Sequence, residues 1–193
     1  MDVAELERQV EYKFAPVPLL AVQALANTYS FEDDEERLGD AVSAKRWLVD
    51  SGLAKQGVRI GPAEFERLIA LRGAVRSLIE ANLPETEGQS DAKAGAALIA
   101  SAAPRLQAGA EGRLDVDLEP VGSVEEFASQ IAGIVFRAQL AGEWERLKIC
   151  ASDDCRWAFY DASRNRGGTW CQMEVCGNRA KNRRFRTRAK AGG

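Results

Sequence analysis

Apolar residues recur along the chain with two different spacings, and each change of spacing marks an element. Over 62–83 they fall at Phe65, Leu68, Ile69, Val75, Leu78 and Ile79, the spacing of one face of an α-helix. Pro62 suits the first turn of that helix and Pro84 its end. The spacing returns at Phe127, Ile131, Ile134, Val135 and Ala138, with Ser123 and Glu126 as a capping box and Gly142 as the stop. A shorter helix runs from an Asp40 cap through Ser51, with Ala44, Trp47 and Leu48 on one face and Gly52 beyond it. Residues 91–102 read as a short alanine-rich helix. "LLAVQALANTYS", residues 19–30, stays apolar until Asn27, so it predicts a buried helix or strand end. Alternation takes over in "RLDVDLEP", where Leu114, Val116 and Leu118 interleave with charge. With a turn at Gly109 to Gly112, this predicts a β-hairpin. Residues 1–18 form an irregular or partly helical lead-in, and "FEDDEER" an acidic surface loop.

Cysteine usage changes this picture. All four cysteines lie between Cys150 and Cys176, and the chain has no histidine. Cys150 and Cys155 are spaced C-x4-C, as are Cys171 and Cys176. Each pair can form a knuckle that turns two thiolates toward one point. Four thiolates give the tetrahedral surroundings of a closed, structural zinc site, with no position left for a reacting water. A mononuclear iron or an iron–sulfur cluster would use the same ligands. Two disulfides would need an oxidising compartment, and unconnected core cysteines would be spread along the chain. Between the pairs, Trp157 and Phe159 alternate as in a strand, Gly167 and Gly168 supply a turn, and Trp170 returns the chain to Cys171. A hairpin closed by the metal is expected, with Trp157, Phe159, Trp170 and Phe185 as its small core.

Charge is divided in the same way. From Cys150 onward ten Lys and Arg face four Asp and Glu, while the preceding residues hold sixteen against twenty-five. A basic module joined to an acidic body follows. "GNRAKNRRFRTRAK" should be helical, with Arg179, Arg183 and Arg186 on one face and Lys181, Arg184 and Arg188 completing the basic set. The fold class expected is α+β. A mainly helical domain with a small β-hairpin occupies 1–145, and a four-cysteine finger of zinc-ribbon or treble-clef-like kind, ending in a basic helix, occupies 146–193.

The stretch "CGNRAKNRRFRTR" resembles the CGNR zinc finger, whose motif stands here as Cys176, Gly177, Asn178 and Arg179. The likeness extends back through "WCQMEVC" and "WAFYDASRNR" to Cys150. Upstream, "LANTYS", "ERL", "WLVDSGL" and "LIALRGAVRSLI" are similar to the ABATE domain that usually precedes this finger. The resemblance implies a stress-induced transcription regulator with one structural zinc on Cys150, Cys155, Cys171 and Cys176.

The leading expectation is therefore a DNA-binding regulator, with an N-terminal domain that senses a ligand or dimerises. An RNA-binding module and a protein–protein adaptor are the alternatives. Enzyme activity is not expected, because there is no histidine for acid–base work and no P-loop, dinucleotide fingerprint or nucleophile elbow. "FAPVPLLAVQALAN" could pass for a signal-peptide core. The acidic residues before it, together with Pro16 and Pro18, argue instead for a cytoplasmic protein. Finally, Arg72 interrupts the apolar face of the 62–83 helix. It would snorkel to the surface or pair with an internal acid. Otherwise it would line a pocket, with Asn27 and Thr28, that grips a small anionic ligand.

Overall fold

The computed structural model describes residues 1–83, 89–109 and 112–183. Its centre is α2 (Leu19–Ala26), apolar at every position but Gln23, and all eight of its residues are buried. Such a helix needs neighbours all round. It packs against α1 (Val3–Val10), α4 (Pro62–Glu80), α6 (Val124–Leu140) and the strand β6 (Ala158–Tyr160). A two-residue ladder, β1 (Tyr29–Ser30) with β2 (Glu35–Glu36), folds the acidic stretch into a tight hairpin.

Local signals set the helix ends. α3 (Ala41–Asp50) starts where Asp40 Oδ1 accepts the Ser43 N–H at 2.7 Å, and it buries Ala44, Trp47 and Leu48. Gly52 beyond it has φ +62°, a conformation that favours glycine. α4 begins at Pro62, with the Glu64 carboxylate accepting the Gly61 N–H at 3.0 Å. It ends at Glu80 rather than at 83, and it buries Leu71 and Arg76 as well as Leu68, Val75 and Ile79. Phe65, Ile69 and Leu78 are only partly buried. At the start of α6, Ser123 Oγ accepts the Glu126 N–H, but the Glu126 carboxylate takes the Gly122 N–H instead of closing the box. The core face of α6 is as expected: Phe127, Ile131, Ile134, Val135 and Ala138 are all buried.

α5 (Gln89–Ala100) lies close against α4, and Gly95 is what permits this. A Cβ there would stand 2.3 Å from Ser77 Oγ and 2.9 Å from Ala74 O. The expected hairpin is β3 (Leu106–Ala108) with β4 (Leu114–Val116). Val116 faces the core, but Leu114 is exposed. No helix among the described residues is long and apolar enough to cross a membrane.

After α6 a 3-10 turn at Trp144–Arg146 leads into β5 (Leu147–Ile149), antiparallel to β6 in the register Leu147↔Tyr160 and Ile149↔Ala158. The strand of Trp157 and Phe159 therefore pairs with the residues before Cys150, not with the chain returning at Trp170. Both strands carry buried residues: Leu147, Ile149 and Ala158 belong to the helical core, while Phe159 turns toward the cysteines.

Candidate metal centre and nucleic-acid interface

β5 and β6 bring in the first cysteine pair. Cys150 extends the ladder, its N–H donating to Trp157 O at 2.8 Å. The chain then reverses at Ser152, whose carbonyl accepts from both Cys155 and Arg156, the latter at φ 48°. The second pair arrives on a wide turn, a π-type coil over Met173–Gly177 closed by Gln172 O accepting from Cys176 and Gly177. Ala151 N–H donates to Thr169 O at 3.0 Å and ties the two arms together.

The four Sγ atoms lie within 4.8 Å of one another, and all four cysteines are buried. Cys171 Sγ is 3.6 Å from Cys155 Sγ and 3.6 Å from Cys176 Sγ. A zinc tetrahedron with Zn–S bonds of about 2.3 Å sets its sulfurs about 3.8 Å apart, so the cluster fits that ion. The thiols cannot all ionise together without a cation. Hydrogen bonding to Cys150 pushes Cys155 and Cys171 up, and burial followed by the Cys150 charge pushes Cys176 up. A dication resolves this conflict by displacing the protons. When bound, zinc supplies a structural cross-link and no open coordination position.

The residues after Cys176 have separate duties. A Cβ on Gly177 would stand 2.4 Å from Met173 Sδ and 3.3 Å from Trp170 Cδ1, so a side chain there would have to displace the end of Met173 and press on the Trp170 ring. Asn178 Nδ2 donates to Glu174 O at 2.9 Å and caps the wide turn. α7 (178–183) starts there, so the fourth ligand fixes its direction. Arg179 reaches Glu32 of the acidic hairpin at 2.6 Å. Arg183 reaches Asp154 at 3.1 Å and Ser152 Oγ at 3.3 Å. Lys181 is exposed. Arg184, Arg186 and Arg188 lie outside the described residues, as does Phe185.

The finger core is Trp157, Phe159 and the four cysteines, with Trp170 and Tyr12 packed against it. Tyr12 comes from the N-terminal segment and was not visible in any local pattern. Burial, then the Cys171 sulfur, pushes its hydroxyl pKa up.

The polar end of α2 does not make a ligand site. Asn27 spends its amide on the finger, with Nδ2 donating to Ala158 O at 2.9 Å and Oδ1 accepting the Ala158 N–H at 2.8 Å. Thr28 Oγ1 donates to Leu25 O. Arg72 does meet Thr28, at 3.2 Å, but its fork is closed on Glu36 by bonds of 2.6 and 2.7 Å. The anion expected for Arg72 is thus a carboxylate of the protein itself, and the pocket reading falls. The buried arginine of α4 is Arg76, one turn further on. It donates to Ala26 O at 2.7 Å and Arg156 O at 2.9 Å, and stacks 4.7 Å from the Phe31 ring centroid. Desolvation by burial lowers its pKa to about 10, which still leaves it charged at neutral pH.

A second buried charge fixes the loop before Cys171. Lys148 Nζ donates to Asp161 Oδ2 at 2.9 Å, to Arg166 O and to Gly168 O, so all three of its protons are used. Burial alone would raise the Asp161 pKa. Bonds from Ser163, Lys148 and the Gly168 N–H hold it well below the usual carboxylate range instead.

No curated protein matches the chain. Residues 146–189 match the CGNR zinc finger family, and the four clustered cysteines accordingly hold one structural zinc. Residues 21–143, more than half the chain, match the ABATE family, described as "Putative stress-induced transcription regulator". Helical body and finger together make this chain a member of the ABATE family that carries a CGNR zinc finger.

Proposed function

We propose that the protein is a transcription regulator whose finger, 146–193, binds duplex DNA and whose body, 1–145, senses a signal or dimerises. The observation that carries this reading is a helix starting at Asn178, just after the fourth zinc ligand, with Arg179, Lys181 and Arg183 all exposed on it. Arg184, Arg186 and Arg188 continue the same basic run. Phosphates bind such side chains by charge, and the counterions released make the affinity fall with salt. The carboxylates now facing them do not oppose this. Glu32 and Asp154 are solvent-accessible partners, and ion pairs of that kind contribute about 0–1 kcal/mol. DNA phosphates would replace them.

Base stacking, the route by which single-stranded RNA is commonly read, has less support. Trp157 and Phe159 are buried, which removes them as stacking platforms. The test is a salt titration of binding to random duplex DNA and RNA. Replacing Arg183 and Arg184 together by Ala should flatten the log–log slope on DNA by about two units. An unchanged slope would remove both from the interface and leave Arg183 as the internal partner of Asp154 and Ser152, the adaptor reading.

A further inference from the structure

Residues 1–20 precede both matched segments, yet they reach the metal centre. α1 ends at Val10, and the chain turns sharply with Glu11 at φ 70° and Lys13 at φ 51°. These turns lay residues 10–13 along the finger. Val10 O accepts the Trp157 Nε1–H at 3.1 Å. Lys13 O accepts the Tyr160 N–H at 2.9 Å. The Lys13 ammonium donates to Trp170 O at 2.7 Å, next to Cys171, and lies 4.7 Å from the Phe159 ring centroid. Tyr12 stands between these anchors, half-buried against the cysteines, with its hydroxyl 4.0 Å from Cys171 Sγ.

We propose that segment 10–13 completes the zinc centre, with the Tyr12 hydroxyl donating to the Cys171 thiolate as a positioning residue. Four thiolates on a dication leave two net negative charges in a buried site. A hydroxyl donor spreads that charge, keeps the sulfur on the metal and lowers its reactivity toward electrophiles. Lys13 adds a cation on the same side. The finger's hold on zinc is then set partly by residues outside the finger. By reciprocity, zinc binding orders the N-terminal segment.

The experiment uses the full-length zinc protein and its Tyr12→Phe and Tyr12→Ala variants. Zinc transfer to a chromophoric chelator should be about 10-fold or more faster for Tyr12→Phe, the range for losing an outer-shell partner. Cobalt-substituted Tyr12→Phe should also show a shifted sulfur-to-cobalt charge-transfer band, which a purely packing role would not move. If only Tyr12→Ala releases zinc faster, and Tyr12→Phe matches the parent in both rate and band, the ring matters and the hydroxyl does not, which overturns the proposal. Hydrogen exchange on the unmodified protein gives an independent check. Stripping zinc should speed exchange at the Tyr12 and Ala15 amides, and unchanged exchange there would refute the coupling even if a variant failed to fold.

Discussion

In the helical body, Leu25, Leu48, Phe127 and Ile131 are buried to within 1% among other apolar side chains. In the finger, four of the six residues of the buried cluster are thiols. Burying a large apolar side chain stabilises by about 1.5–3 kcal/mol, and ordering each residue costs about 1–2 kcal/mol. The body can meet that cost from its own packing. Trp157 and Phe159 cannot meet it for the finger. The deficit is covered from two directions: by the metal within, and by the body outside, through Asn27, Gln23 and Arg76 on finger carbonyls and Leu147, Ile149 and Ala158 in the helical core. A self-sufficient region and a dependent one therefore share a boundary that neither leaves free.

Breaking the metal side should have the largest effect. A structural zinc contributes an apparent 10–16 kcal/mol or so to a small module. Cys171→Ser should abolish stoichiometric zinc and unfold the finger, as read by elemental analysis and near-UV circular dichroism. The body should keep its helical signal but melt at a lower temperature, because it loses Ala158 from its core. An unchanged body transition would show that the contacts across the boundary contribute nothing. Acid acts in the same direction as the substitution. With Cys155, Cys171 and Cys176 pushed up in the absence of a cation, protons compete for the sulfurs, and zinc should be released as pH falls.

Breaking the body comes next. Phe127 is fully buried and meets Trp47 edge-on at 6.4 Å between ring centroids. Phe127→Ala should cost about 3–5 kcal/mol in a denaturant melt. Zinc should stay bound below the new transition, since the ligands do not touch Phe127. Zinc loss at the same denaturant concentration would instead make the two regions one cooperative unit.

The boundary itself is probed by Asn27→Ala. It leaves a buried backbone N–H and C=O of Ala158 without their side-chain partner, at about 1–3 kcal/mol for an unsatisfied group. Gln23 still donates to the carbonyl at 3.1 Å, so the N–H bears most of the loss. Asn27→Asp sharpens the result. It keeps an acceptor for that N–H but faces the carbonyl with a carboxylate, so it should destabilise despite its near-identical shape.

These contacts also separate what could be read in the sequence from what could not. α3 was legible because each of its signals is local: the Asp40 cap, the Trp47 and Leu48 face, and the Gly52 stop. The metal ligands were legible because paired cysteine spacing encodes the knuckles. The sequence also flagged an arginine within α4 but pointed to Arg72, whereas the buried one is Arg76. The two are one helical turn apart, and the choice between them is made by Ala26 O and Arg156 O, 50 and 80 residues away. The partner of β6 was missed for a related reason. "RWAFYDASRNRGGTW" looks like a hairpin by itself, but β5 upstream offers Leu147 and Ile149, which bury with Ala158 in the helical core. Tyr12 lies 159 residues from Cys171, and no spacing could have joined them.

The smallest effect is expected at the ion pair that replaced the imagined ligand pocket. Arg72→Lys keeps the charge beside Glu36 but loses the planar fork that makes two bonds at once. Glu36 retains the Leu38 N–H at 2.8 Å, so its carboxylate is not abandoned. The loss should be about 1 kcal/mol or less at neutral pH, since the pair is partly exposed. Its pH dependence identifies the source. Burial by itself would raise the Glu36 pKa, but the bonds from Arg72 and the Leu38 N–H hold it below the ordinary value. A carboxylate depressed in the folded state contributes stability above its unfolded pKa and loses it as pH falls through the folded one. The gap between parent and Arg72→Lys should therefore close in acid, as Glu36 becomes protonated in both. A gap that persists at low pH would come from the packing of the Arg72 side chain against α4's neighbours rather than from its charge.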